Sequence, residues 1–240
     1  MLKMSKQMQA IKDLLTTLKV DDTKYHIVMF SSPQLEDQYG EINLLKISLN
    51  NDEGMDLLVI PGYSFKSFTT MLTKLIEGME FIENKYKNIY MINWGDKVKA
   101  STLTLGDGLS QDQKYIKQDE FRGKLAEIVD KLIRSPDMTL HNFTLLGKSA
   151  GAGVSFYLAS INTEVKVLMA CCPGITNRGA VVANRLDLKI HLMWNKDDDV
   201  ILYPIHEEIM AQLQGQGNDV TFYSYDDGGH ELNVKFLEDT

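Results

Sequence analysis

The sequence predicts an α/β protein: a doubly wound, mostly parallel sheet with an antiparallel hairpin at its N-terminal end and minimal or no cap. Three observations carry this. From about residue 26 onward, short apolar runs alternate with helical stretches of ten or more residues, the pattern of βαβ crossovers. Several of those runs, such as MDLLVI from residue 55, are apolar nearly throughout, as strands covered on both faces must be. The first two runs instead alternate apolar and polar residues, as paired antiparallel strands do.

Taken in order, the first 24 residues place Met4, Met8, Ile11, Leu15 and Leu18 at helical spacing, an amphipathic helix ahead of a single domain spanning 25–240. HIVMFSS and INLLKISLN form the hairpin around the polar turn PQLEDQYG. MDLLVIPGY (55–63) is a buried strand ending in Pro-Gly. Residues 66–87 carry Phe68, Leu72, Leu75, Ile76 and Met79 at helical period, and NIYMINW is the next strand. A Gly/Ser/Thr-rich loop, 95–110, leads into a long helix over 111–134. Strand 143–148, helix 150–160, strand VKVLMACC, an irregular stretch 173–187, strand KIHLMW, helix 204–214, strand DVTFYSYD and a final helix 231–238 complete the series.

Composition narrows the function. A chain of 240 residues can fill one sizeable core. Its 25 Lys and Arg stand against 33 Asp and Glu, a net charge of -8, with no basic stripe, which excludes a nucleic-acid role. No segment approaches the about 20 apolar residues of a membrane span, and the N-terminus lacks the apolar core and cleavage site of a signal peptide. The two cysteines, Cys171 and Cys172, are adjacent, and no Cys/His group has metal-ligand spacing. Neither a disulfide framework nor a zinc site is expected, and a reducing, cytoplasmic setting fits best.

The stretch FTLLGKSAGAGVSF, residues 143–156, carries the chemistry. Gly147-Lys148-Ser149 matches the end of a P-loop, but that motif needs a glycine at 142, where Asn142 stands, and apolar strand residues 143–146 cannot wrap a phosphate. Gly-x-Ser-x-Gly between a strand and a helix is instead a nucleophile elbow, with Ser149 on the turn and small neighbours on either side. A serine hydroxyl needs a base to take its proton and a carboxylate to hold that base. Later strand ends offer both: Asn195-Lys196-Asp197-Asp198-Asp199-Val200 follows one strand, and Asp227-Gly228-Gly229-His230 follows the next. The order Ser149, Asp197, His230 suits such a set, with Asp199 as the alternative acid because three aspartates in a row blur the register.

With these residues in place, the chain resembles the α/β-hydrolase superfamily over about residues 26–240. The family's acid turn, G-x-x-D-x-x-V, is matched from Asp197 onward, with Trp194 in place of its glycine. Its histidine follows a glycine, as His230 follows Gly229. Its oxyanion turn, His-Gly, becomes Pro61-Gly62-Tyr63. The resemblance implies an oxyanion hole from the backbone N–H groups of Tyr63 and Ala150 and a serine hydrolase of small-molecule ester or thioester substrates, with no cofactor. It also admits peptidases, acyltransferases and dienelactone-type hydrolases.

Each assignment has a plainer competitor. Ser149 stands where a helix N-cap serine would. His230 could be a surface histidine in a glycine turn. Cys172 lies near a strand end within reach of the site, but a small buried residue is the ordinary role for it. Trp194 and Pro61, at positions where the family has glycine and histidine, favour the rival expectation of a non-catalytic binding or scaffold protein of this fold.

Overall fold

The computed structural model describes residues 6–20, 24–32, 42–94, 98–99, 101, 108–135, 138–175 and 180–240. The turn 33–40 and most of the loop 95–110 therefore lie outside the described residues. In chain order the elements are α1 (Lys6–Thr17), β1 (His26–Ser32), β2 (Ile42–Ser48), β3 (Met55–Ile60), α2 (Phe65–Glu77), α3 (Met79–Ile82), β4 (Tyr86–Asn93), α4 (Gln111–Ile133), β5 (Phe143–Lys148), α5 (Ala150–Ile161), β6 (Val165–Cys171), β7 (Lys189–Asn195), α6 (Ile205–Gly215), β8 (Asp219–Tyr225) and α7 (Val234–Asp239).

Among the described residues, eight strands join one sheet in the order β1-β2-β4-β3-β5-β6-β7-β8. β2 is antiparallel to both β1 and β4, and every pair from β4 onward is parallel. The fully apolar runs fall at the centre: Leu57 to Ile60 and Phe143 to Leu146 are completely buried, or nearly so, between helical layers. β8, at the edge, is only partly covered. Because β3 pairs with β4 on one side and β5 on the other, the winding reverses between β3 and β5. The crevice beyond their carboxyl ends is where this class of sheet places its chemistry.

Local sequence explains the helices that flank that crevice. Ser64 caps α2, its side chain accepting from the Ser67 N–H at 3.0 Å. Ser110 and Gln113 close a reciprocal capping box on α4. α5 is apolar on nearly every side, which fits a helix sunk between the sheet and α4. Ile11 and Leu15 of α1 reach the core, a burial worth roughly 3–6 kcal/mol for the two side chains together.

The helical period over 66–87 extends further in sequence than in space: α2 stops at Glu77, and Tyr86 already belongs to β4. Gly78 caps its end, at a position where a Cβ would stand 2.7 Å from the Leu237 side chain in α7. Between β6 and β7 the described residues form one 3-10 turn, Ala180–Val182, and no cap domain. Among the described residues no helix is long and apolar enough to cross a membrane.

Candidate active site

The turn after β5 is tightly constrained. Ser149 has φ 55° and ψ -125°, a conformation costly for any residue with a Cβ. It is held there by its own backbone: its N–H donates to Cys171 O at 2.9 Å, and its carbonyl accepts from Gly174 N at 3.0 Å. Two glycines make the turn sterically possible. A Cβ on Gly147 would stand 2.5 Å from Ala152 Cα, and one on Gly151 would run into the carbonyl groups of Ile60 and Pro61. Although Ser149 occupies the N-cap position of α5, its side chain makes no capping hydrogen bond. The hydroxyl is not committed to the helix.

The loop after β8 presents His230, and the turn after β7 presents its carboxylate. His230 Nδ1 lies 2.8 Å from Oδ2 of Asp198. The register along the chain points to Asp197, with Asp199 as the alternative; neither is the carboxylate against the imidazole. Asp198 is the buried member of the three, its side chain fully enclosed, whereas Asp197 and Asp199 face outward. The other oxygen of Asp198 accepts from the N–H groups of Val200 and Ile201, each at 2.9 Å, which fixes the carboxylate plane. Asp197 acts on the backbone instead. Its oxygens accept from Gly229 N at 2.7 Å and Gly228 N at 3.3 Å, clamping the histidine loop. The signal for Asp198 is present in the sequence but faint. An aspartate that caps the N–H groups two and three residues ahead is held inward by its own turn.

Two departures from the family pattern now have structural roles. Trp194 is buried, and its indole N–H donates to Ile201 O at 2.7 Å, closing the ends of the aspartate turn. Pro61 O accepts from the Trp94 indole at 3.1 Å, while Gly62 N–H donates to Ser67 Oγ. Ala150 opens α5, so its N–H has no acceptor within the helix. The Tyr63 ring packs edge-on against Trp94 and Phe121.

Gly62, Tyr63, Ser149, Ala150 and His230 all line one open cleft of about 380 Å³, walled on its far side by Lys66, Ser67 and Thr70 of α2. Lys148 and Glu231 also reach it and form an ion pair that links the residue before Ser149 to the residue after His230. Asn195 spans His230 from behind, its Nδ2 donating to Gly229 O and to Glu231 O, both at 2.8 Å.

Electrostatics separate the half-buried His230 from the buried His191. The His191 pKa is pushed down to about 4, chiefly by burial, and its Nδ1 lies 3.1 Å from the Tyr223 hydroxyl. Burial also disfavours the charged form of His230, but hydrogen bonding to Cys172 and Asp198 outweighs it, and its pKa is raised. Asp198 is held below the usual carboxylate range: burial opposes this, and the His230 contact together with the two backbone N–H groups prevails. Cys172 completes the neighbourhood. It is fully buried, with a left-handed backbone (φ 44°). The sequence places Cys172 at a strand end within reach of the site but favours an ordinary buried role for it; the structure brings it to Asp198 and His230.

Comparison with solved structures identifies the architecture. A CIB-like hydrolase from Thermoplasma acidophilum superimposes with a TM-score of 0.58 at 16% identity, over 90% of this chain and 94% of the other. A ferulic acid esterase from Anaeromyces mucronatus gives a TM-score of 0.61 at 13% identity, over 89% and 88%. A dienelactone hydrolase from Anabaena variabilis gives 0.57 at 14%, over 86% and 88%. The chain has the α/β-hydrolase fold. No protein-family model and no curated protein sequence matches it.

Proposed function

We propose that the protein is a serine hydrolase of carboxylic ester or thioester bonds. In this reading Ser149 Oγ attacks the carbonyl carbon while His230 Nε2 takes its proton. Asp198 accepts the Nδ1–H, fixes the tautomer and stabilises the imidazolium as it forms. The N–H groups of Ala150 and Tyr63 receive the oxyanion. His230 then returns the proton to the leaving group, and water, activated by the same imidazole, releases the acyl group from Ser149.

One observation carries the reading: a strained serine with an uncommitted hydroxyl shares a cleft with an imidazole whose other nitrogen is held by a buried carboxylate. Esterases and hydrolases among the structural neighbours support it. The absence of a cap among the described residues favours small acyl substrates over bulk lipid. A fluorophosphonate probe is expected to add once to the wild-type protein and not to Ser149→Ala. A p-nitrophenyl ester series, extended to acyl-CoA, then reports the preferred acyl chain. A folded wild-type protein that neither labels nor turns over any of these esters would leave the rival reading, a non-catalytic member of the fold.

A further inference from the structure

Cys172, Asp198 and His230 approach one another from the ends of three adjacent strands, β6, β7 and β8. Their ligating atoms all lie within 4.8 Å of one another, and two of the three residues are buried. We propose that these three side chains form a binding site for a thiophilic divalent cation, zinc above all, and that the bound ion switches the hydrolase off.

The donor set argues for the metal. A thiolate, an imidazole and a carboxylate together suit a borderline-soft ion far better than calcium or magnesium, which take oxygen ligands. Tetrahedral zinc, with bonds of about 2.0–2.3 Å, sets neighbouring donors roughly 3.3–3.6 Å apart. The His230–Asp198 contact at 2.8 Å has to open slightly, and the thiol has to close by no more than about 1.2–1.5 Å, the difference between 4.8 Å and those spacings. The surroundings are already built to hold such ligands. Asp198 is oriented by two backbone N–H groups, the outer support that metal carboxylates commonly have. Cys172 is set in its left-handed conformation, with its N–H donating to Met193 O at 2.8 Å. Its neighbour Cys171, equally buried, directs its thiol to Glu231 O, and its contact with Cys172, together with burial, raises the Cys172 thiol pKa, so the ion has to displace a firmly held proton.

The effect on chemistry follows from the imidazole. If Nδ1 binds the ion, the ring proton moves to Nε2, and no lone pair remains there for the Ser149 proton. If Nε2 binds the ion, that lone pair is occupied directly. Either way the base is lost. The step balances without oxidant or reductant: Cys172 releases its thiol proton to solvent, and the imidazole at most relocates its own. Three protein ligands leave the fourth position to water.

The inhibitory half rests on the serine-hydrolase reading; the binding half does not, so the two are measured separately. Metal-free protein, wild type and Ser149→Ala, is dialysed against Zn2+ and its metal content determined, and Co2+ is added to parallel samples. One zinc per chain is expected in both proteins, with a thiolate-to-cobalt charge-transfer absorption in the near ultraviolet. Cys172→Ser is expected to raise the Kd for zinc by roughly 100-fold or more, beyond the loss typical of an outer-shell partner, and to abolish that absorption. His230→Ala provides a second ligand deletion, and Cys171→Ser is expected to keep the site. In wild type, ester turnover or fluorophosphonate labelling is expected to fall in step with zinc occupancy and return with a chelator. Zinc bound no more tightly by wild type than by Cys172→Ser, or cobalt without the thiolate absorption, overturns the site. Tight zinc that leaves turnover and labelling unchanged overturns the switch. Tight zinc on a protein without any ester chemistry leaves the site standing and rejects the hydrolase.

Discussion

Replacing Asp198 by Asn separates the three consecutive aspartates more sharply than any other change. Asp198 accepts two backbone N–H groups with one oxygen and the His230 Nδ1–H with the other. An asparagine can keep only one of these arrangements. With its oxygen toward Val200 and Ile201, its NH2 group faces Nδ1, which must then become an acceptor and send the ring proton to Nε2. That tautomer cannot take a proton from Ser149. The flipped amide instead sets donors against two backbone donors in a buried turn, at about 1–3 kcal/mol for each group left unsatisfied. The first arrangement wins, and an imidazole locked in the wrong tautomer costs about 10⁴ in kcat. Asp197→Asn loses part of the clamp on the glycines and is expected to lower kcat less than about tenfold, because Asn195 still holds the same loop. Asp199→Asn is expected to change little. The assay is p-nitrophenyl ester turnover beside a thermal melt of each variant. A loss for Asp197→Asn or Asp199→Asn that equals the loss for Asp198→Asn, or near-normal turnover in Asp198→Asn, refutes the assignment.

Three further outcomes follow from the same geometry. The raised pKa of His230 places the acid limb of kcat/KM above pH 6.5, because the base works only when neutral; the same shift gives stability that is complete below about pH 6.5 and fades as pH rises through the folded-state value, measurable by urea unfolding across pH. Glu231→Gln leaves the buried Lys148 ammonium without its counter-ion and is expected to cost up to about 3 kcal/mol, whereas Lys148→Met leaves only a partly exposed carboxylate and costs less, an order that urea titrations check. Asn195→Ala orphans the carbonyls on both sides of His230 and is expected to lower kcat by about 10² with KM nearly unchanged, as for a positioning residue acting only on the base; an equal rise in KM would contradict that role.

How far the sequence could be read depended on the range of the interaction. The central strands were legible because MDLLVI and FTLLGK must be buried on both faces, a requirement written into the residues themselves. The strained serine was legible because Gly147 is needed by α5 backbone five residues on, although Gly151 answers to the distant Ile60 and Pro61 carbonyls. Elsewhere the deciding contact came from a distant part of the chain. The room for no more than a glycine at 78, where α2 ends, is set by Leu237, 159 residues later. The choice of Asp198 over its neighbours depends on which side of a six-residue turn faces the β8 loop. A count back from Val200 gives no access to that face. Cys172 meets Asp198 and His230 only because β6, β7 and β8 lie side by side.

The tripeptide that first suggested phosphate binding shows how one short motif can be put to another use. In a P-loop the glycine frees backbone N–H groups, the lysine reaches a phosphate and the hydroxyl meets a metal. Here Gly147 lies in β5, where its missing Cβ lets α5 close over the strand. Lys148 is buried and spent on Glu231, so its charge secures the histidine loop rather than an anion. Ser149 takes the backbone strain. Lys148 thus ties the elbow to the residue after His230, and the Asp197 clamp and the Asn195 bridge hold the same loop through Gly229 and Glu231. Rigidity of this kind is what proton transfer over a single hydrogen bond requires, since a misplacement of about 1 Å costs two orders of magnitude in rate. On the proposed hydrolase reading, the Asp198 contact to the ring and the three tethers on the residues flanking His230 serve one end, a fixed imidazole.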